Sequence, residues 1–375
     1  FKMSLRSVFS VSSIRRMSSI TARAIVYNAH GEPKDTLKCH SYKIDLQNLQ
    51  PNEVVVQTLA APLNPSDINQ IQGVYPSKPP LSIDSLPELK EPAAVTGNEG
   101  VFKVIAKGSN VGELETGDWC IPSGVNFGTW CTHRLTTDKN LLKMPKTISL
   151  NQAATIAVNP SSAYQMLTHF VKLQPGDWFI QNGANSQVGR AAIQIGHKLG
   201  YKSLNIVRNR DNLDELVKDL ESIGATKVIT EDESASKEFG ATVKEWLEGK
   251  EIKLGLNCIG GPSASNLARK LGHDATILTY GAMSKKPLSL PTGNFIFKNL
   301  TAKGFWITGN IKRHPELRIE TINAVLKFME DGTLKEPKVN EPKVKLSTTT
   351  NESFLETVLA ALEDSQKGKQ LLKFE

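Results

Sequence analysis

The alternation of apolar and amphipathic segments between residues 178 and 280 most limits the folds open to this chain. Short apolar runs typical of buried strands lie at 178–181, 203–207, 226–229, 254–258 and 275–280. Helical segments separate them, at 188–199, 211–223, 241–247 and 263–270. Because parallel strands require crossover connections, this series predicts an α/β fold with a doubly wound parallel sheet.

The chain on either side of this series follows a different pattern. From Thr21 to about Leu150 the sequence has short strand-like runs broken by Gly and Pro, at 23–27, 53–59, 101–105 and 119–122. This pattern predicts a β-rich barrel or partial barrel with long loops. From about Phe305 we expect helices at 316–330 and 353–362. With 375 residues, at about 150 residues per domain, two domains are expected.

Composition excludes several classes of protein. No run of about 18 apolar residues occurs, so no membrane-spanning helix is expected. Lys and Arg exceed Asp and Glu by 45 − 38 = 7, and four of these basic residues lie in residues 1–20, which contain seven serines and no acid. That segment is typical of a mitochondrial transit peptide, which places the protein in the matrix. The alternative is a basic arm for nucleic acid, but no nucleic-acid-reading motif follows, so no such partner is expected.

Neither the cysteines nor the histidines form a metal-binding pattern. The four cysteines contain no C-x-x-C pair, and the seven histidines form no H-E-x-x-H motif. We therefore expect no metal site, and we interpret the cysteines as scattered reduced thiols.

The segment 182–189 joins the first predicted strand of the parallel sheet to the first helix. Counted back from Gly189, the positions of a G-x-G-x-x-G motif hold Ala184, Ser186 and Gly189, so small residues replace two glycines. Small side chains still allow a close approach of the backbone to a pyrophosphate. The segment therefore predicts a dinucleotide site, and the alternative is an ordinary tight turn without a ligand.

The end of the second strand carries Arg208, Asn209 and Arg210, about 20 residues beyond that turn, where an NAD site would have an acid. Two guanidinium groups suit a 2′-phosphate, so the sequence favours NADP(H) over NAD(H). Asp211 is interpreted as the N-cap of the next helix. The alternative is a solvated basic loop.

Several motifs together resemble one enzyme family, the mitochondrial 2-enoyl thioester reductases. These belong to the zinc-free branch of the medium-chain dehydrogenase/reductase superfamily. The resemblance runs from about Arg23 to the C-terminus and is vaguest at 331–360. Its motifs are Asn-Pro-Ser-Asp-Ile-Asn at 64–69, Gly-Val-Tyr-Pro at 73–76, Gly-Asn-Glu-Gly at 97–100, Val-Asn-Pro at 158–160, Gln-Asn-Gly at 181–183, 208–210, 257–261, 278–281 and 304–306.

This resemblance implies a fold and an activity. A GroES-like catalytic domain at 21–157 is interrupted by a Rossmann NADP-binding domain at 158–304, and 305–375 returns to the catalytic part. The implied activity is NADPH-dependent reduction of trans-2-enoyl thioesters, on acyl carrier protein or coenzyme A, in mitochondrial fatty acid synthesis. Homodimers are usual in such a family.

The resemblance also assigns site residues. Tyr75 matches the catalytic tyrosine. The matching cofactor positions are Asn159, Asn185, Ser186, Gln187, Val188, Arg208, Asn209, Arg210, Tyr280, Gly281, Ala282, Met283, Phe305, Trp306, Ile307 and Lys369. Two positions differ from the usual family sequence, since Ala282 replaces a glycine and Asn209 replaces an aspartate. The added methyl of Ala282 would reduce affinity if the backbone there has a positive φ.

The chemistry of enoyl reduction explains why a tyrosine is needed. Hydride arrives at Cβ and charge gathers on the thioester oxygen, so a donor at that oxygen lowers the barrier. A phenol stays protonated at neutral pH and serves as that donor. Taken alone, Tyr75 would be interpreted as a packed ring, Trp306 equally as a core residue or a pocket wall, and Lys369 as a solvated lysine.

Two rival functions remain open from the sequence. One is a zinc-free NADPH:quinone oxidoreductase, which shares the fold and the cofactor and does not need Tyr75. The other is a protein that binds NADPH without turnover and acts in regulation.

Overall fold

The computed structural model describes residues 18–375, and the N-terminal half of this range is built mainly from strands. One sheet has the strand order β2-β1-β4, and a second has the order β15-β16-β3-β5-β6-β8, with β7 paired to β3. Their strands are β1 Ser19–Tyr27, β2 Leu37–Asp45, β3 Glu53–Pro62, β4 Ala94–Val95, β5 Val101–Lys107, β6 Trp119–Pro122, β7 His133–Thr137, β8 Leu141–Met144, β15 Lys343–Val344 and β16 Leu371–Phe374.

The middle of the chain forms a six-stranded sheet in the order β11-β10-β9-β12-β13-β14. Every neighbouring pair in it is parallel. Its strands are β9 Trp178–Asn182, β10 Lys202–Val207, β11 Lys227–Thr230, β12 Ile252–Asn257, β13 Leu271–Thr279 and β14 Thr301–Gly304. The predicted α/β class with a doubly wound parallel sheet is confirmed. The strand order reverses between β9 and β12, and ligands bind at such a point, outside the carboxyl ends of the strands.

Helices lie in both parts of the chain, on the parallel sheet and beside the strands of the β-rich part. They are α1 Pro33–Thr36, α2 Pro65–Ile71, α3 Leu150–Thr155, α4 Asn159–Thr168, α5 Gln187–Lys198, α6 Leu213–Ser222, α7 Glu231–Ala235, α8 Phe239–Leu247, α9 Gly261–Arg269, α10 Thr292–Lys298, α11 Ile307–Arg313, α12 Glu316–Glu330 and α13 Asn351–Glu363. The largest apolar cluster joins α4, α5 and α12 to the parallel sheet and to β3, β5 and β16. The core is therefore continuous between the two parts of the chain.

Most segments predicted from periodicity are elements of the structure. The helix expected at 316–330 has those bounds, and the apolar stripe that begins at Val188 lies on α5. The predicted N-cap was wrong, because Asn212 rather than Asp211 precedes α6, and neither side chain makes a capping hydrogen bond there.

The C-terminal segment adds β16 antiparallel to β3, so the end of the chain completes the β-rich sheet. The boundaries 21–157, 158–304 and 305–375 stay a prediction. Residues 1–17 of the expected transit peptide lie outside the described residues, and β1 already begins at Ser19.

Other features concern residues 18–375 alone. No helix among them is both long enough and apolar enough to cross a membrane. Within the same range, no three or more His, Cys, Asp or Glu residues are placed to hold a metal ion. All four cysteines are free thiols, three of them buried.

Candidate active site

The ends of β9 and β12 are fixed to each other by a buried asparagine. The Asn182 carboxamide donates hydrogen bonds to Asn257 Oδ1 at 2.8 Å and to Ser263 Oγ at 2.9 Å. Its Oδ1 accepts the backbone N–H of Cys258 at 2.8 Å. Because these bonds satisfy buried polar groups in a water-poor environment, they hold the carboxyl edge of the sheet in one arrangement.

The turn after β9 brings the start of α5 close to this edge. Ser186 is the N-cap of α5, and its Oγ accepts the N–H of Gly189 at 3.1 Å. A Cβ on Gly189 would lie 2.5 Å from the carbonyl oxygen of Ala184, so only glycine fits there. Gly183 has a φ of 60°, and a Cβ there would lie 2.7 Å from Cys258 Sγ. The first turn of α5 therefore presents its N–H groups beside the strand ends.

The four predicted residues of this turn have different surroundings. Asn185 is partly exposed, and Ser186 is exposed and caps the helix. The Gln187 amide donates to the carbonyl of Lys338 at 2.8 Å, which ties the helix to the C-terminal segment. Val188 packs against the main apolar cluster. A ligand at this turn would therefore meet backbone groups and the Ser186 side chain more than the Val188 side chain.

The segment after β13 lies at the same edge and consists of Tyr280, Gly281, Ala282 and Met283. The Tyr280 hydroxyl is buried near Ser186 and Cys258, and it has no hydrogen-bond partner among residues 18–375. Burial raises the pKa of Tyr280 well above its usual value. Ala282 does not have a positive φ, so its methyl group adds no backbone strain, and Met283 is 57% exposed.

Arg208, Asn209 and Arg210 follow β10, two strands from β12. Arg208 and Asn209 are exposed and Arg210 is partly exposed. The Asn209 Oδ1 accepts the backbone N–H of Arg210 at 3.0 Å, which orders this short loop. The charge of Arg208 also acts on Glu231. Burial raises the pKa of Glu231, and the Arg208 guanidinium is one of the groups that oppose this shift.

The residues at this edge fit an NADP-type dinucleotide. A helix N-terminus with backbone N–H groups suits the pyrophosphate, and the two arginines suit a 2′-phosphate. Gly189 allows the close approach of α5 to the turn, and the unpartnered Tyr280 hydroxyl offers a buried donor. The hydrogen-bond donors and the positive charge at this edge therefore suit a phosphorylated dinucleotide.

Tyr75 lies in the loop that follows α2. The backbone N–H groups of Val74 and Tyr75 both donate to the carbonyl of Asn69, at 3.0 and 3.1 Å. Gly73 has a φ of 80°, and a Cβ there would lie 2.8 Å from the His30 ring, so glycine allows the loop to turn. The position of Tyr75 therefore follows directly from the position of α2.

Tyr75 meets Trp306 at the junction of the two parts of the chain. The Trp306 Nε1–H donates to the Tyr75 hydroxyl oxygen at 2.7 Å, and the ring planes meet at 86°. Burial raises the pKa of Tyr75, while hydrogen bonds with Trp306 and Thr308 oppose this shift. An indole N–H is only a donor, so the phenol accepts from it and keeps its own proton to donate elsewhere.

The remaining predicted residues have different surroundings. Phe305 is 6% exposed and packs edge-on against Phe170, so its side chain belongs to the core. Ile307 is partly buried against the same cluster, and Asn159 is the first residue of α4. The Lys369 ammonium points inward, to the Leu63 carbonyl at 3.0 Å and to Asn64 Oδ1.

A group of buried polar residues around the start of α2 was not predicted from the sequence to belong to the site. Asn64, Asp67 and Glu99 are at most 3% exposed, and Asn98 connects to them by donating to Asp67 Oδ1 at 2.7 Å. An acid between glycines at 97–100, followed directly by an apolar strand, was the signal available in the sequence. Buried acids are rare unless they are paired, so an acid at this position indicates a polar partner nearby.

The fold and this cleft define a class: a nucleotide-dependent oxidoreductase with a β-rich catalytic part and a parallel-sheet cofactor part. Two family descriptions match the sequence, "Alcohol dehydrogenase GroES-like domain" at residues 50–161 and "Zinc-binding dehydrogenase" at residues 188–330. The chain is 49% identical to enoyl-acyl-carrier-protein reductase 2, mitochondrial, of Candida tropicalis, over 100% of this chain and 99% of that protein. The chain belongs to the family of mitochondrial enoyl-acyl-carrier-protein reductases, which confirms the resemblance.

Solved structures agree with this assignment. A mutant of Etr1p in complex with NADP and crotonyl-CoA has a TM-score of 0.91 and 49% identity, covering 95% of this chain and 100% of that one. A heterodimer of mitochondrial 2-enoyl thioester reductases from Candida tropicalis has a TM-score of 0.90 and 49% identity, covering 94% and 100%. One relative, from Kluyveromyces marxianus, is named NADPH quinone oxidoreductase and is 43% identical over 86% of each chain. The names of the reductases agree with the predicted mitochondrial location.

Proposed function

We propose that this protein reduces trans-2-enoyl thioesters with NADPH in mitochondrial fatty acid synthesis, and that Tyr75 is its catalytic residue. The observation that carries the proposal is the hydrogen bond from Trp306 to the Tyr75 oxygen, at 2.7 Å. It orients the phenol at the junction of the two parts of the chain and leaves the phenolic proton available. Membership of the reductase family supports the same activity.

The carboxyl edge of the parallel sheet would hold the cofactor. Bound there, NADPH supplies the hydride. The start of α5, with Asn185 to Val188, would contact the pyrophosphate, and Arg208 to Arg210 would contact the 2′-phosphate. The segments 280–283 and 305–307, with Asn159, would contact the nicotinamide half. Lys369 is the weakest of the proposed contacts, because its ammonium already binds Asn64 and Leu63.

Tyr75 would act on the substrate carbonyl. As hydride reaches Cβ, electrons move toward the thioester oxygen, and an enolate forms. The Tyr75 O–H donates a hydrogen bond to that oxygen, which stabilises the charge where it develops. The enolate then takes up a proton at Cα to give the saturated thioester. Because burial raises the pKa of Tyr75, the phenol keeps its proton throughout the physiological range.

Basic side chains around the Tyr75 loop suit an acidic carrier of the acyl chain. Lys78 donates to the Gly73 carbonyl at 2.7 Å, and Lys312 donates to Ser77 Oγ at 3.0 Å. Both residues and the adjacent Arg313 are exposed. Acyl carrier protein, which appears in the relatives' names, is therefore the proposed physiological carrier, with coenzyme A as the smaller alternative.

The edge of the parallel sheet suits a homodimer. All four residues of β14 are exposed, so this edge strand presents free backbone groups on one side. Beside it, α10 exposes Phe295, Ile296 and Phe297 by 41%, 67% and 77%. An apolar patch next to an unpaired edge suits a second copy related by a two-fold axis. A relative that forms a heterodimer supports this assembly.

The test is NADPH oxidation by the purified protein. We expect turnover with crotonyl and longer trans-2-enoyl thioesters of coenzyme A, and higher kcat/KM with the same acyl groups on acyl carrier protein. A quinone is the comparison substrate, because one relative is named for that activity. Turnover of the quinone alone would contradict the proposal, and NADPH binding without any turnover would favour a regulatory role.

A further inference from the structure

The side chain of Glu99 joins the beginnings of two helices, α2 and α4. Glu99 lies in the loop between β4 and β5 and is 2% exposed. Its Oε1 accepts the backbone N–H of Val158 at 2.8 Å, and its Oε2 accepts the Asn64 amide at 3.1 Å. One carboxylate therefore binds two donors that belong to different segments of the chain.

These two donors belong to the segments that carry a proposed cofactor contact and the Tyr75 loop. Val158 directly precedes α4, whose first residue is Asn159, a proposed cofactor contact. Asn64 directly precedes α2, and the Asn69 carbonyl in that helix accepts the backbone N–H groups of Val74 and Tyr75. A displacement of Asn64 would therefore move α2, and with it the backbone of Tyr75.

Other buried groups fix the direction of the Asn64 side chain. Its Oδ1 accepts from the Lys369 ammonium, so its amide nitrogen must face Glu99. Its backbone N–H donates to Asp67 Oδ2 at 2.8 Å. With its oxygen and both nitrogens engaged, Asn64 has one arrangement that satisfies all of its partners.

The charges around Glu99 come from three other elements. Lys369 precedes β16, Asp67 lies on α2, and Arg318 lies on α12, where its Nη2 donates to the Pro122 carbonyl at 2.6 Å. Burial raises the pKa of Glu99 to about 7, and the Lys369 charge opposes this shift. Two positive and two negative groups thus share a buried region, and the loss of one partner from such a set is costly.

We propose that Glu99 is a positioning residue that fixes the distance between the Tyr75 loop and the cofactor side of the cleft. It acts through Asn64 and α2 on Tyr75, and through the Val158 N–H on the start of α4. The inference rests on the proposed reductase function. A displacement of about 1 Å between reacting groups lowers the rate by about 100-fold, so the effect belongs in kcat.

The variant Glu99→Gln tests the proposal with almost no change in volume. The new amide has one acceptor oxygen for two donors, Val158 N–H and the Asn64 amide. We expect kcat for a crotonyl thioester to fall by about 10-fold to 100-fold, while the Kd for NADPH stays within about twofold of the wild type. Glu341→Gln is the control at an exposed carboxylate, since Glu341 accepts the Asn151 amide at 2.9 Å. That control should keep the wild-type kcat.

A double variant separates the hydrogen bond from a general loss of packing. In Glu99→Gln with Asn64→Asp, the donor and the acceptor exchange places and the total charge is kept. The new amide at position 99 donates to the new carboxylate at position 64, whose other oxygen accepts from Lys369. We expect kcat to recover to within about threefold of the wild type.

Each outcome of these measurements either supports or overturns the role of Glu99. A folded Glu99→Gln protein with the wild-type kcat overturns the proposal, as does a lowered Tm with an unchanged kcat per folded molecule. If that variant does not fold, the double variant decides. A kcat near that of the wild type supports the proposal, and a folded double variant with a kcat about 10-fold or more below the wild type overturns it. A wild-type protein that does not reduce the thioester removes the reductase function itself, and this inference with it.

Discussion

The Trp306 indole and the Tyr75 phenol form a hydrogen bond of 2.7 Å between residues 231 positions apart in the chain. Tyr75 follows α2 in the β-rich part, whereas Trp306 comes two residues after β14, the last strand of the parallel sheet. The bond therefore fixes the orientation of the phenol relative to the cofactor part. It also uses a lone pair of the phenol oxygen rather than its proton, which is the arrangement that a hydrogen-bond donor to substrate requires.

Removal of the Tyr75 hydroxyl should affect the chemical step and leave binding intact. In Tyr75→Phe the ring remains in place but nothing donates to the thioester oxygen. We expect kcat for a crotonyl thioester to fall by about 100-fold to 1,000-fold, as for loss of an oxyanion donor. Steady-state kinetics and a fluorescence titration of NADPH would measure the two effects. A wild-type kcat in this variant would exclude Tyr75 from the mechanism.

The pH dependence of kcat should show no loss from ionisation of Tyr75 at moderately alkaline pH. Burial raises the pKa of Tyr75 above its usual value of 10.0. The phenol donates only in its protonated form, so its contribution persists as long as the pH stays below that raised pKa. We expect no fall in kcat between about pH 7 and pH 9. A falling limb in that range that is absent from Tyr75→Phe would contradict the assignment.

Discrimination between the two nicotinamide cofactors should depend on Arg208. A charge-assisted hydrogen bond contributes about 1.5–3 kcal/mol, so Arg208→Ala should raise the KM for NADPH by about 10-fold to 100-fold. The KM for NADH should hardly change, because NADH has no 2′-phosphate. Arg269→Ala, at an exposed position on α9, is the control and should leave both values unchanged. Equal effects on both cofactors would show that Arg208 does not contact the phosphate.

Local sequence patterns predicted the parallel sheet well because its strands and helices repeat a simple period. The stripe that begins at Val188 lies on α5, and the turn before it has its small residues where the backbone is crowded. The same patterns did not reveal α4, since Asn159 and the residues after it combine buried Ser and Gln with apolar side chains. A helix of that composition has no clear apolar face in the sequence.

The contacts of Glu99 and Lys369 could not be predicted for a different reason. Glu99 meets Val158 across 59 residues, and Lys369 meets Asn64 across 305 residues. Nothing in the local sequence distinguishes a lysine with a buried ammonium from a solvated one. The resemblance assigned Lys369 to the cofactor, whereas the structure directs its ammonium to the carbonyl of Leu63 and to Asn64.

The close contact in the turn after β9 predicts a specific cost for a single methyl group. In Gly189→Ala the new Cβ would lie 2.5 Å from the Ala184 carbonyl oxygen, so the start of α5 must move. We expect the free energy of unfolding to fall by about 1–3 kcal/mol and the Kd for NADPH to rise. Urea unfolding and a fluorescence titration would test both.

Gly240→Ala is the matched control for that variant. Gly240 lies on α8, and a Cβ there would meet nothing within 4 Å. The change should leave NADPH binding unaltered and stabilise the fold by about 0.5 kcal/mol. If both variants behaved alike, the contact between Gly189 and Ala184 would have no special importance.

The exposed face next to β14 predicts the state of assembly in solution. Phe297 is 77% exposed on α10, and an aspartate there would place a charge in an interface between two copies of the chain. We expect the wild type to sediment as a dimer. In Phe297→Asp, the dissociation constant of the dimer should be at least about 100-fold higher than in the wild type. Ile319→Asp, on the exposed side of α12 and 55% exposed, should remain a dimer. A Phe297→Asp protein with the wild-type sedimentation profile would place the interface elsewhere on the molecule, and a monomeric wild type would exclude the dimer.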